Sequence, residues 1–262
     1  MKKIVLISLA TASLLFAQES SDAFISHTEL GFNKTDGNTD TTTLNLDAKI
    51  EKNWGIHALT GSIDGQYAEN KGIESKNKFL AEANYDYMLS QTLSVNYLAG
   101  YKADKFSRFD YQLYTGPGAK YIVFKDDVHN LTVDGNLLYA KDAISTAKYT
   151  SNGTLIEYPN EKNIVADPAR TVSSYSETYM AFRLGAAYER QLLENLKFAQ
   201  DLNYRSSFKD QSNFFAYSKT ALSSKLSTMF SAGISYKIDY VNNPGNKDST
   251  DTTLTANLIM DY

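Results

Sequence analysis

Beyond residue 17 no stretch of this chain is apolar enough to cross a bilayer as a helix. What repeats instead is alternation of apolar and polar residues over stretches of about 10 to 14 residues, broken by short polar clusters. In an extended chain a period of two sends successive side chains to opposite faces. From Thr92 to Lys102, Leu93, Val95, Tyr97, Ala99 and Tyr101 therefore share one face, and Ser94, Asn96, Leu98, Gly100 and Lys102 the other. The same split sets Leu44, Leu46, Ala48 and Ile50 against Asn45, Asp47, Lys49 and Glu51. It sets Phe79, Ala81, Ala83, Tyr85 and Tyr87 against Lys78, Leu80, Glu82, Asn84 and Asp86. From Phe109 to Val123, the residues Arg108, Asp110, Gln112 and Lys120 take the polar side. The composition suits strands: Tyr 19 and Phe 13 against Trp 1 and Pro 4 among 262 residues.

A soluble sandwich alternates too, and is the architectural alternative; three further features favour a membrane barrel. Aromatic residues gather near the strand ends of the apolar faces, as interfacial girdles require. Connections alternate between tight and loose. The tight ones are Lys52 to Gly55, Ser90 to Thr92, Lys125 to Asp127, Leu193 to Asn195 and Ser224-Lys225. The loose ones are Thr35 to Thr39, Glu69 to Ser75, Asp104 to Arg108, Lys141 to Tyr175, Phe208 to Gln211 and Asn242 to Ser249. Eleven connections predict about twelve strands, an even number with short turns at one end. The last strand puts Leu254, Ala256, Leu258, Met260 and Tyr262 on one face and ends on an aromatic residue. The expected fold is all-β: an antiparallel transmembrane β-barrel of about twelve strands. Only Asn213 to Ser223 has aromatics on both faces; Lys219 sets Tyr217 and Phe215 on its own, inner side, unless a bulge intervenes.

Lys2 and Lys3, the apolar run Ile4 to Phe16 and the small Ala17 read as a secretory signal peptide over 1–17, because a helical anchor needs about 20 apolar residues. Residues 18–262 form the barrel, with one long outer loop at about 141–175, a length that connections reach when they are functional or unstructured. Export with an outward apolar belt predicts the outer membrane of a Gram-negative bacterium. The expected partners are membrane lipid, lipopolysaccharide and the barrel assembly machinery. The absence of Cys excludes disulfides, thiol catalysis and Cys-based metal sites, and the formal charge of −4 argues against nucleic acid.

Glu29-Leu30-Gly31-Phe32, followed by Gly37-Asn38-Thr39-Asp40-Thr41-Thr42, resembles the opening strand pair of the salt-induced outer-membrane proteins (YdiY-like), a family of unknown function. Tyr85-Asp86-Tyr87, Gly100-Tyr101 through Asp104-Lys105-Phe106, and Gly116-Pro117-Gly118 are similar to later motifs of that family. The resemblance spans about Thr28 to Tyr262, with 141–175 as an insertion. It implies a fold and a location, with no catalytic residue, substrate or cofactor.

With apolar faces outward, the polar faces line a lumen rich in both signs of charge, among them Glu29, Asp47, Asp64, Asp86, Asp134 and Asp239 against Lys78, Lys102, Arg205, Lys219 and Lys237. An open pore keeps such charges hydrated, whereas a closed bore must pair them. Arg108, Asp110, Lys120, Arg183 and Glu189, on the strands flanking the one that enters the long loop, are the candidate pore-lining residues. An EF-hand at Asp36-Asn38-Asp40 fails because Thr41 stands where Gly is required. A looser divalent site would need Asp248 and Asp251 to meet Asp36 and Asp40 at the closing seam. His27, His57 and His129 have no matched nucleophile motif, so neither an enzyme, a cofactor nor a metal is expected. The expected function is a narrow passive channel for ions or small solutes. The alternative is a closed-lumen barrel with a structural, stress-response or surface-interaction role.

Overall fold

The structure, a computed structural model, describes residues 24–35, 40–145, 151–152, 167–170, 173–245 and 248–262. The expected signal peptide over 1–17, Asp36 to Thr39 and most of the long loop lie outside the described residues. Twelve strands are found: β1 (Ile25–Thr35), β2 (Thr41–Trp54), β3 (His57–Asn70), β4 (Ile73–Met88), β5 (Leu93–Asp104), β6 (Phe109–Lys125), β7 (His129–Ile144), β8 (Tyr175–Leu193), β9 (Leu196–Ser207), β10 (Phe214–Lys225), β11 (Phe230–Val241) and β12 (Thr250–Asp261). Each pairs antiparallel with its sequence neighbours, and β12 returns to β1 to close the barrel. In hydrocarbon no water satisfies a free amide, so a sheet that crosses it must close on itself.

The phase of the alternation is as expected. Leu137 is 56% exposed while Asn136 and Leu138 on either side are at 4% and 0%, which separates an outward apolar face from a packed inner one. Aromatic rings ring the outer face at both ends. Trp54, His57, Tyr85 and Tyr87 touch at the short-turn end, with centroids 5.4 to 5.9 Å from His57, as do Phe124, His129, Tyr188 and Phe198. At the other end Phe182, Tyr204, Phe214 and Tyr240 form a continuous row. His57 and His129 are girdle residues, bonded to the hydroxyls of Tyr85 (2.7 Å) and Tyr188 (2.8 Å).

Several boundaries differ from expectation. The β3–β4 connection, expected to be loose over Glu69 to Ser75, is the two-residue turn Lys71-Gly72, both at positive φ (48° and 77°), a geometry that matches strand twist. The first tight turn is Gly55-Ile56 and the last spans 226–229, because β2 and β10 continue to Trp54 and Lys225. Strand β7 continues to Ile144, so Lys141 and Asp142 belong to the wall and the long connection is 145–174, with a 3-10 turn at Pro168–Arg170. The β6–β7 turn is capped by Asp126, whose Oδ1 accepts the amides of His129 (2.7 Å) and Val128 (2.8 Å) and whose carboxyl they hold below its usual range.

Gly116-Pro117-Gly118 marks a close approach. A Cβ on Gly116 would lie 1.9 Å from the Leu137 carbonyl oxygen, a backbone atom with nowhere to go, and β6–β7 pairing lapses between Thr115 and Gly118. Gly116→Ala should therefore force the β6–β7 backbone apart and lose about 1–3 kcal/mol. The check is a lower urea midpoint for loss of the heat-modifiable band; an unchanged midpoint would contradict the tight approach.

Candidate functional site: the barrel lumen

Because inward residues recur every second position, the register of each hairpin decides which polar side chains meet. At the short-turn end the lumen holds a cavity of about 560 Å³ that runs inward from Ser90, Gln91 and Thr92 to Leu98. Its wall carries Lys49, Glu51, Asp86, Lys120, Asp134 and Arg183. Lys120 Nζ donates to Asp86 (2.7 Å), which also accepts from Ser94 (3.3 Å), and Arg183 Nη1 donates to Asp134 (2.7 Å).

Above this cavity the bore is filled. On the β5–β8 side Leu98, Tyr114, Leu138, Ala140, Tyr179 and Ala181 pack as a buried apolar cluster, joined by Leu80. The Tyr hydroxyls end on carboxylates, Tyr114 on Glu82 (2.5 Å) and Tyr179 on Asp142 (2.7 Å), where Gln112 also donates (2.9 Å). On the other side charges fill it. Lys219 on β10 donates to Glu29 of β1 (2.8 Å) and Asp47 of β2 (2.7 Å). Lys237 on β11 bonds Asp64 of β3 and lies 3.4 Å from Asp47. Lys78 on β4 bonds Asp239 of β11, and Lys102 on β5 reaches the other oxygen of the same carboxylate at 3.4 Å. Since β5 and β11 stand opposite each other in the ring of twelve, the Lys102–Asp239 contact crosses the bore.

Of the five candidate lining residues, Lys120 and Arg183 are in the lumen and share the cavity. Glu189 faces inward at the short-turn end, 3.3 Å from Lys197, with about half its side chain exposed, and does not line the cavity. Arg108 and Asp110 are corrections. The β6 register shifts between Phe109 and Tyr111, which turns Phe109 into the lumen against Phe215 (5.7 Å) and leaves Asp110 exposed, accepting from Ser145 (2.7 Å). Arg108 precedes the strand and donates to the carbonyl (3.0 Å) and Oδ1 (3.1 Å) of Asn243 in the β11–β12 loop, so it ties two loops together above the bore. Asp251 pairs with Lys76 (3.0 Å), and the described residues contain no group of three or more ligands that could hold a metal ion.

Lys219, Lys237, Lys78, Lys102 and Asp239 lay among the lumen charges in the sequence but were not the residues singled out. Counting inward from each hairpin turn puts Lys219 opposite Lys237 and Asp201, and Glu29 opposite Asp47; contacts across the bore have no such sequence signal.

The fold and lumen define a class: a closed twelve-stranded antiparallel barrel of the outer-membrane type. The chain belongs to the family described as "Protein of unknown function, DUF481", whose model matches residues 28–262. Among solved structures it is similar to the translocator domain of the autotransporter NalP from Neisseria meningitidis, at 9% identity and TM-score 0.50, covering 100% of this chain and 95% of that one. It is also similar to the NanC porin, at 12% identity and TM-score 0.43, covering 91% and 98%. OmpT of Vibrio cholerae matches at 10% identity and TM-score 0.41, covering 94% and 100%. At such identities the likeness is one of fold. None of the curated proteins matches the chain.

Removing one partner from a buried charge cluster costs far more than removing all of it. Lys219→Met should destabilise the barrel by about 3–5 kcal/mol, because Glu29 and Asp47 lose the cation they share. Adding Glu29→Gln and Asp47→Asn should restore most of that loss. Urea unfolding of both variants checks this, and equal midpoints for the single and triple variants would refute it.

Proposed function

We propose that this protein is a narrow passive channel for ions or small polar solutes, held shut in this state. The observation that carries the reading is the two-part closure above the cavity: an apolar layer on one side and an ionic bridge, Lys78 and Lys102 on Asp239, on the other. A barrel with no passage to control can fill its bore with apolar side chains, which avoids the desolvation cost of this many charges. The chain instead keeps charged side chains on both sides of the bore and a cavity open at one end.

In this reading the 1–17 leader exports the chain, the barrel assembly machinery inserts it in the outer membrane of a Gram-negative bacterium, and its outward belt meets lipid and lipopolysaccharide. The two aromatic girdles support that placement. The lumen has no catalytic or cofactor role. Salt-induced expression, which the YdiY-like resemblance implies, is a further expectation, tested by protein level after a rise in external NaCl.

The experiment is planar-bilayer conductance of the heat-modifiable protein beside Asp239→Asn. Neutralising Asp239 frees Lys78 and Lys102 from their shared partner, so the variant should open more often and favour anions. Silence of the wild type, of Asp239→Asn and of Leu98→Ala, with folding retained in all three, would overturn the channel reading. It would favour the second reading, a sealed barrel whose outer loops do the work, which the filled bore itself supports.

A further inference from the structure

Among the described lumen cations, Arg205 has a buried guanidinium nitrogen that the closure leaves without a partner. It projects inward from β9, two residues before the strand ends at Ser207, and is 8% exposed. Its Nη1 is buried without a hydrogen-bond partner, and the guanidinium makes no hydrogen bond or ion pair with a described residue. The nearby carboxylates are engaged elsewhere: Glu82 by Tyr114, Asp142 by Tyr179 and Gln112, and Asp239 by two lysines. A buried, unpaired guanidinium is expensive, and Arg cannot shed its proton to escape the cost.

The rings around it restrict what can satisfy it. The Tyr114 ring centroid lies 4.6 Å from Arg205 Cζ and that of Phe215 lies 4.4 Å away, while Phe109 packs on Phe215. Rings at this distance take up the guanidinium as a cation–π partner but accept no in-plane hydrogen bond, so the N–H edge remains available. Lys102 lies near it as well, with Lys78 and Arg205 as cationic neighbours and Asp239 and Asp104 as anionic ones. A planar oxyanion that presents two oxygens side by side fits such an edge, and its apolar remainder has aromatic surface to lie on.

We propose that Arg205 forms a lumen site for a small carboxylate, held bidentately by its unpaired N–H edge between the Tyr114 and Phe215 rings. The site does not depend on passage: it reads out as binding, whereas the channel reading reads out as conductance.

The test is a titration of the detergent-folded, full-length protein with sodium acetate at fixed ionic strength, sodium chloride making up the balance. Binding is followed by the Arg205 side-chain N–H signals in ¹H–¹⁵N spectra and by calorimetry. The wild type should saturate in the millimolar range, about 1–10 mM for a single charge-assisted fork. Arg205→Gln should weaken binding at least about tenfold. Arg205→Lys should lose nearly as much, because an ammonium keeps the charge but not the fork. Lys209→Gln removes the same charge from the neighbouring loop and should bind acetate as the wild type does. No saturation in the wild type, equal affinity in Arg205→Lys, or an identical response to chloride alone would each overturn the carboxylate site. Should Arg205→Gln fail to fold, the wild-type side-chain signals and Arg205→Lys still decide it.

Discussion

The rest of this structure depends on one constraint: every backbone amide that meets hydrocarbon must be bonded within the sheet. The chain satisfies it by pairing β12 with β1, where His27 faces Asp261 and Leu30 faces Leu258. Closure then fixes parity all the way round, since a one-residue slip on any strand would turn its polar face to lipid. The outward Leu and Tyr rows and the inward charges are two consequences of that single choice.

Parity in turn decides what fills the bore. Twelve strands enclose a lumen between the side-chain-filled small barrels and the open porins, so side chains must either project far or leave water. Lys is long enough to reach across, and Lys102 meets Asp239 from the opposite wall. Buried pairs of this kind contribute little net stability, but they are costly to break singly, which favours one arrangement over its alternatives. On the β5–β8 side Tyr114 and Tyr179 do a similar job with apolar bodies and hydroxyl tips that satisfy Glu82 and Asp142.

Much of this was legible because a period of two is a strong signal when it recurs twelve times. Strand number, facing and the placement of Lys120 and Arg183 follow from alternation, and Lys219 did fix the face of Tyr217 and Phe215 where aromatics stood on both sides. Asp110 was misplaced because one unpaired residue in β6 reverses parity, and nothing in Arg108-Phe109-Asp110 announces it. Arg108 follows from the same slip, as it sits beyond the first paired residue. The cross-bore contacts were out of reach for a different reason. Adjacent strands are related by register, whereas Lys102 and Asp239, 137 residues apart, are related only by the curvature of the closed sheet.

The two halves of the closure are not equivalent. Leu138 and the alanines beside it are held by the longest pairing in the barrel, β7 with β8, and Gly116 brings β6 close against β7. The ionic half joins β1 to β5 with β10 and β11, and includes the seam, where β1 and β12 pair from His27 to Leu30 and Ser26 and Tyr262 exchange two backbone hydrogen bonds (2.7 and 2.9 Å), while β1 and β2 pair along all of β1. Separating the apolar half exposes hydrocarbon to water, whereas charges that part in a wet lumen regain hydration, so their separation costs less. Lys219 on Glu29 and Lys76 on Asp251 tie the two seam strands to opposite neighbours, β1 to β10 and β12 to β4. The seam is therefore held through these lysines as well as through its own short backbone ladder.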